Sequence, residues 1–127
     1  MRVLSFEVIF YREADGRKPL ADFIRTLDIR MKAKVVANLQ LLEEYGNQAR
    51  EPLSKMLNDG IFEMRTICGR NCVRILYFFD GEHIIVATNG FVKKQQKTPK
   101  REIDLAKKRR EDYSKIMMCP SASKLLN

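Results

Sequence analysis

The sequence predicts an α+β fold, with a twisted, mainly antiparallel sheet, two helices between its first and second strands, and a basic C-terminal helix. Three observations lead there. Ile61–Ile67, Cys72–Phe79 and His83–Thr88 are rich in β-branched and aromatic residues and are separated by the turn signals Cys68-Gly69-Arg70-Asn71 and Asp80-Gly81, the pattern of a β-meander. Residues 19–45 switch to apolar residues at three- and four-residue steps, the helical period. Thr98-Pro99 pairs an N-cap residue with a proline suited to the first helical position, and opens a third helical segment.

Taken in order, Val3–Tyr11 mixes β-branched and aromatic residues with Glu7 and is expected as the first strand, paired with part of the meander. Asp15-Gly16 turns the chain. Pro19 then starts a short helix over 19–27, whose Leu20, Phe23, Ile24 and Leu27 fall at i, i+3, i+4 and i+7. Asp28 caps a longer helix in which Val35, Val36, Leu39, Leu42 and Tyr45 recur, and Gly46 ends it. This helical hairpin is expected to cover the apolar face of the sheet. Asn47–Ser54, containing Pro52, is expected as a loop delivering Lys55. The last helix is expected over about 99–113, so that residues 1–113 form the domain and 114–127 a tail.

If the two meander loops contain four and two residues, position i faces 139−i on the second strand, and position i of the second faces 161−i on the third. Phe62, Met64, Thr66, Val73, Ile75, Tyr77, Ile84, Val86 and Thr88 then share the apolar face. Glu63, Arg65, Arg74 and Leu76 share the other, with Arg65 directly opposite Arg74. Like charges across a ladder repel, so the pair implies solvent or an anion. On a solvated face each arginine is expected to contribute little to folding.

A chain of 127 residues suffices for one domain with a single core. Lys and Arg number 24 against 16 Asp and Glu, a net charge of +8, which favours polyanionic partners. The charge is local: nine basic residues between Lys93 and Arg110 face only Glu102 and Asp104, leaving +7 in that stretch. No run of about 18 apolar residues suggests a membrane span. The odd set Cys68, Cys72 and Cys119, and a start without an apolar leader, lead us to expect a reducing cytoplasm. Cys68 and Cys72 lack the second Cys or His pair of a zinc site, so no metal is expected, and they read as two small hydrophobes at a hairpin end.

Lys93-Lys94-Gln95-Gln96-Lys97 leaves the third strand beside the arginines, and with Lys55 surrounds them with cations. Guanidinium groups grip phosphate bidentately and ammonium groups act as point charges, so a phosphate-binding surface is the working idea. Lys100 and Arg101 extend it. Phe91 and Tyr113 are candidates either for stacking on a base or for the core. His83, beside the Asp80-Gly81 turn, is expected on the arginine face at the far end of the strand and reads as a surface residue.

The blocks G-I-F-E-M-R from Gly60, R-I-L-Y from Arg74 and F-V-K-K-Q-Q-K-T-P from Phe91 occur in an order that resembles the HigB-type branch of the RelE/ParE toxin superfamily, including its phage-encoded relatives. The resemblance runs over roughly residues 3–113. It implies a RelE-like fold and the toxin of a type II toxin–antitoxin system: an endoribonuclease that cleaves mRNA on the ribosome without metal or cofactor and is neutralised by a cognate helix-turn-helix antitoxin. The ParE branch implies a different activity, non-catalytic gyrase inhibition, and a simple RNA-binding module is a third reading. Cleavage by the 2′-hydroxyl needs a base, positive charge on the phosphorane-like transition state and an acid for the departing 5′-oxygen. Arg65 and Arg74 suit the charge, Lys55 and Lys94 the catalytic set, and Lys93 and Lys97 the phosphate contacts. Any of the four lysines is a candidate for proton transfer. Glu63 is either a base or the counter-charge that orients Arg65, with orientation preferred. Asn89 stands where many HigB-type sequences carry histidine, and Ile103 is the nearest match to the catalytic tyrosine of RelE proper, two departures that weaken the case for a conventional acid–base pair.

Overall fold

The computed structural model describes residues 5–94 and 96–117. Five strands, β1 (Glu7–Phe10), β2 (Ser54–Asn58), β3 (Ile61–Cys68), β4 (Asn71–Asp80) and β5 (Ile84–Val92), form one sheet in the order β1-β5-β4-β3-β2. Three helices, α1 (Pro19–Arg25), α2 (Ile29–Tyr45) and α3 (Lys100–Met117), complete the mixed α+β architecture. β1 runs parallel to β5, and every other pairing is antiparallel.

The helical hairpin forms for the reasons the sequence supplies. Pro19 occupies the first turn of α1, and the Asp28 side chain accepts from the Met31 amide at 2.9 Å to cap α2. Gly46 closes α2 with φ +53°, a region where a Cβ is costly. Leu20 and Ile24 of α1 and Met31, Val35 and Leu42 of α2 pack on Met64, Val73, Ile75, Tyr77, Ile85 and Ala87 of the sheet.

Three expectations are corrected. The segment before the meander is a strand, not only a loop: β2 pairs with β3 through the two-residue turn Asp59-Gly60, with φ +51° and +78°, the left-handed pair that a tight hairpin requires. Second, the β4–β5 connection is the three residues 81–83, with Asp80 still paired to Ile84. The pairing is therefore 164−i near the turn, and 165−i beyond a bulge at Thr88, as in Arg74 opposite Phe91. An odd shift turns a strand over: Ile85 and Ala87 join the helical-hairpin core, while Ile84 and Val86 lie on the other face. Asp80 is held in the ladder by the Tyr113 hydroxyl, which donates to its carboxylate at 2.7 Å.

The third correction concerns that other face. It is not wet, because α3 covers it, burying Ile61, Leu76, Phe78 and Val86 beneath Ala106, with Ile103 and Tyr113 alongside. Asn89 donates to the Glu102 carbonyl and carboxylate (3.2 and 3.0 Å), Tyr11 donates to Asp112 (2.9 Å), and Arg109 donates to the Thr88 carbonyl (2.8 Å) and lies over the Tyr11 ring. Arg110 grips the Asp59 carbonyl and carboxylate at the β2–β3 turn.

α3 continues to Met117, four residues past its expected end. Val3, Leu4, Gln95 and the tail from Met118 onward, with Cys119, lie outside the described residues. Cys68 and Cys72 are free thiols. Cys68 follows Met64 and Thr66 on the hairpin face, whereas Cys72 opposes Ile67 on the arginine face, so alternation points them apart.

The Gly46 geometry gives a stability test. A Cβ there would fall inside contact distance of the Phe6 ring, on a backbone that resists side chains. Gly46→Ala should cost about 1–3 kcal/mol, against about 1 kcal/mol for loss of the Asp28 cap in Asp28→Ala. Urea unfolding of both variants measures the difference.

Candidate functional site

Strand alternation places Glu63 and Arg65 on the same face of β3. The register sets Arg74 of β4 opposite Arg65, and Lys55 of β2 opposite Glu63. The segment entering α3 brings Lys97 and Thr98 over this row, and the first turn of α3 adds Ile103. These side chains, with Gln96 and the β2 residues Met56–Asn58, line a cleft of about 240 Å³. Four cations surround one carboxylate there.

The repulsion expected between the arginines is resolved by Glu63, which is fully buried at 0% exposure. Its Oε2 accepts from Arg65 Nε at 3.2 Å and from Arg74 Nη1, while its Oε1 accepts from the Thr98 hydroxyl. Both oxygens are occupied, which fits a counter-charge that orients the arginines better than a free base. Arg65 also reaches Glu51 at 3.5 Å, and its side chain keeps 21% of its surface in contact with solvent. Arg74 differs. It is 4% exposed, and its Nε is buried without a partner. An arginine in this setting is structural, so the expectation of a weakly contributing solvated Arg74 is overturned: breaking a buried ion pair strands the remaining charge.

Of the residues singled out in the sequence, Lys55, Arg65, Arg74 and Lys97 come together in the cleft. Lys94 and Lys93 do not line it. Lys93 donates its backbone amide to the Cys72 carbonyl at 2.7 Å, and Lys94 is exposed beyond the end of β5. Lys100 is exposed and pairs with Asp104 at 2.9 Å, and the Arg101 side chain stands in solvent beside Glu102. Phe91, opposite Arg74, packs into the α3-side core. Tyr113 is core as well. Its ring meets Phe78 edge-on, and burial, followed by the hydrogen bond to Asp80, raises its phenol pKa well above the ordinary tyrosine range. Asn89 serves α3 docking, and Ile103 is an apolar wall of the cleft. His83 is exposed against the Phe6 ring, on the helical-hairpin side.

Thr98 and Glu51 complete the charge network and were not read as site residues. Thr98 carries an N-cap signal, and only the fold of the preceding segment shows its hydroxyl donating to Glu63. Among the described residues no three or more His, Cys, Asp or Glu side chains form a group able to hold a metal ion, and no helix is long and apolar enough to cross a membrane.

Fold and cleft together define a small mixed α+β protein with a cationic, strand-borne recess closed on one side by a helix. The chain belongs to the phage-derived Gp49-like family (Phage derived protein Gp49-like, DUF891), a family of RelE/toxin-like proteins whose model matches residues 22–111. That span runs from α1 into α3 and includes every cleft residue. A search of the curated proteins found no match.

The network predicts unequal roles for the two arginines in stability. Arg74→Ala should destabilise by about 3 kcal/mol by removing the buried partner of Glu63 and leaving that carboxylate to Arg65 and Thr98, whereas Arg65→Ala, at a partly exposed position, should cost about 1 kcal/mol or less. Replacing both members of the buried pair, as Glu63→Leu with Arg74→Met, should recover much of the loss, with a coupling energy of about 1–3 kcal/mol in a double-mutant cycle. Denaturant unfolding of the single and double variants measures each quantity.

Proposed function

We propose that this chain is a RelE-fold toxin of the HigB type, an endoribonuclease that cleaves mRNA on the cytoplasmic ribosome and is held in check by a helix-turn-helix antitoxin. The observation that carries the reading is the cleft itself. Two arginines on neighbouring rigid strands share one buried carboxylate as their orienter, and Lys55 and Lys97 flank them. A protein that only blocks a partner has no need of cations fixed this way, whereas a phosphate passing through a phosphorane-like state does.

The division of labour follows from burial. Arg65, still partly open to solvent, presents its guanidinium to the scissile phosphate. Arg74, at the floor, holds the Glu63 side chain in place and adds positive potential from below. The 2′-oxygen attacks phosphorus, the bond to the 5′-oxygen breaks, and the products carry a 2′,3′-cyclic phosphate and a 5′-hydroxyl. Of the four lysines considered for proton transfer, Lys55 and Lys97 are the two that line the cleft, so the exchange with the 2′-hydroxyl and the leaving oxygen falls to them. The basic run of α3 supplies long-range attraction to RNA.

Arg65→Ala should lower mRNA cleavage by about 100-fold or more, the scale for losing a preorganised donor, while the protein stays folded. Arg65→Lys should rescue poorly for want of a fork. Mapping transcript ends gives the decisive result: cyclic phosphate with 5′-hydroxyl ends supports the enzyme, and intact mRNA with retained RNA binding indicates a binding module. Ribosome co-sedimentation should weaken steeply between about 50 and 200 mM salt, and a flat response would remove the electrostatic basis of RNA binding.

A further inference from the structure

α2 carries more apolar residues than its buried face uses. Met31, Val35 and Leu42 are buried against the sheet. Away from that face Ile29, Ala33, Val36, Ala37, Leu41 and Tyr45 are all exposed, with Ile29 at 81% and Tyr45 at 50%, in a row that winds around the outside of the helix with Gln40 and Glu44 beside it. A surface helix normally presents charge there, and a continuous exposed apolar face marks an interaction site.

The charges around the row indicate what covers it. Lys34 reaches back to the Ile67 carbonyl at 3.4 Å, and Glu43 accepts from the Val8 amide at 2.8 Å, so both are folded onto the body of the protein. Arg30 and Glu44 remain exposed, one at each end of the helix. Their order opposes the dipole of α2: a cation stands in the first turn and an anion in the last, where the reverse is stabilising. Among the described residues the Asp28 cap answers the dipole at the N-terminus, but α2 has no acid within its first turn and no base in its last, so the C-terminal end carries Glu44 without a compensating cation on the helix.

We propose that the outer face of α2 is the two-fold contact of a homodimer, with the α2 helices of two copies packed antiparallel. An antiparallel pairing centred on Ala37 sets Arg30 against Glu44 of the second copy twice over, Ile29 against Tyr45, and Ala33 against Leu41. The contact is therefore self-complementary in charge and in size, as an isologous interface must be. The small Ala37 sits on the axis, where the backbones approach most closely. The same pairing brings each misplaced charge beside the favourable end of the neighbouring helix dipole. It also leaves α3, on the opposite face of the sheet, away from the contact. A helix of this length spans about 25 Å, so the contact is smaller than the roughly 1,600 Å² of a standard interface, and association depends visibly on concentration.

Sedimentation velocity of the full chain from about 5 to about 500 µM, a range that brackets a micromolar equilibrium, should show the mass moving from one copy to two. A37R, at an exposed position, should remain a monomer with an unchanged circular dichroism spectrum. R30E and E44R should each weaken self-association by about tenfold or more. An equimolar mixture of R30E and E44R should associate again, because each copy then offers the charge the other lacks. A monomer throughout the range, a dimer indifferent to A37R, or a mixture that fails to associate would each overturn the proposal. None of these readouts depends on RNA cleavage, so their failure and that of the proposed activity are separable.

Discussion

A single carboxylate governs the arrangement of this protein. Glu63 has no contact with solvent, and its two oxygens together hold Arg65, Arg74 and Thr98. Taking an ion out of water costs several kcal/mol unless its partners are in place, so the carboxylate settles only where β3, β4 and the segment entering α3 have all reached their final positions. The ladder alone would set two guanidinium groups against each other. With Glu63 beneath them, the same register becomes a reason for the strands to stay paired.

The sheet is buried on both faces but by different means. The helical hairpin covers one side through aliphatic and aromatic contact. α3 covers the other with a smaller apolar stripe, supplemented by Asn89, Arg109, Arg110 and Tyr11, which fix its position by directed hydrogen bonds. This allows the most basic element of the chain to pack against a hydrophobic sheet, because long basic side chains lay their stems on apolar surface and keep their charges outward. The cleft lies where α3 begins and its cover is incomplete.

Much of this was legible in the sequence, and the parts that were not have local causes. The helices followed from periodicity and from the caps at Asp28 and Gly46. The Arg65–Arg74 pairing was correct although the loop is shorter than expected, with Cys68 pairing with Asn71 across Gly69-Arg70, because a symmetric shortening leaves the register unchanged. The third strand was misread because Asp80-Gly81 resembles a two-residue hairpin, whereas Asp80 remains in the ladder under a tertiary hydrogen bond from Tyr113. β2 was missed although Asp59-Gly60 carries a strong hairpin signal. The burial of Arg74 was not legible at all. It depends on α3 lying over that face, and charge composition alone would place such a helix in solvent.

The clamp of Arg110 on the Asp59 turn joins distant parts of the chain. Asp59 ends the hairpin that carries Lys55, and Arg110 lies three turns into the helix whose approach carries Thr98. Undocking α3 would release that turn, expose Leu76, Phe78 and Val86 to water, and remove a hydrogen-bond donor from Glu63 in one event. The cleft and the C-terminal helix therefore form one cooperative unit of opening, and exchange of the β2 and β3 amides with solvent should follow the stability of α3 more closely than that of the helical hairpin.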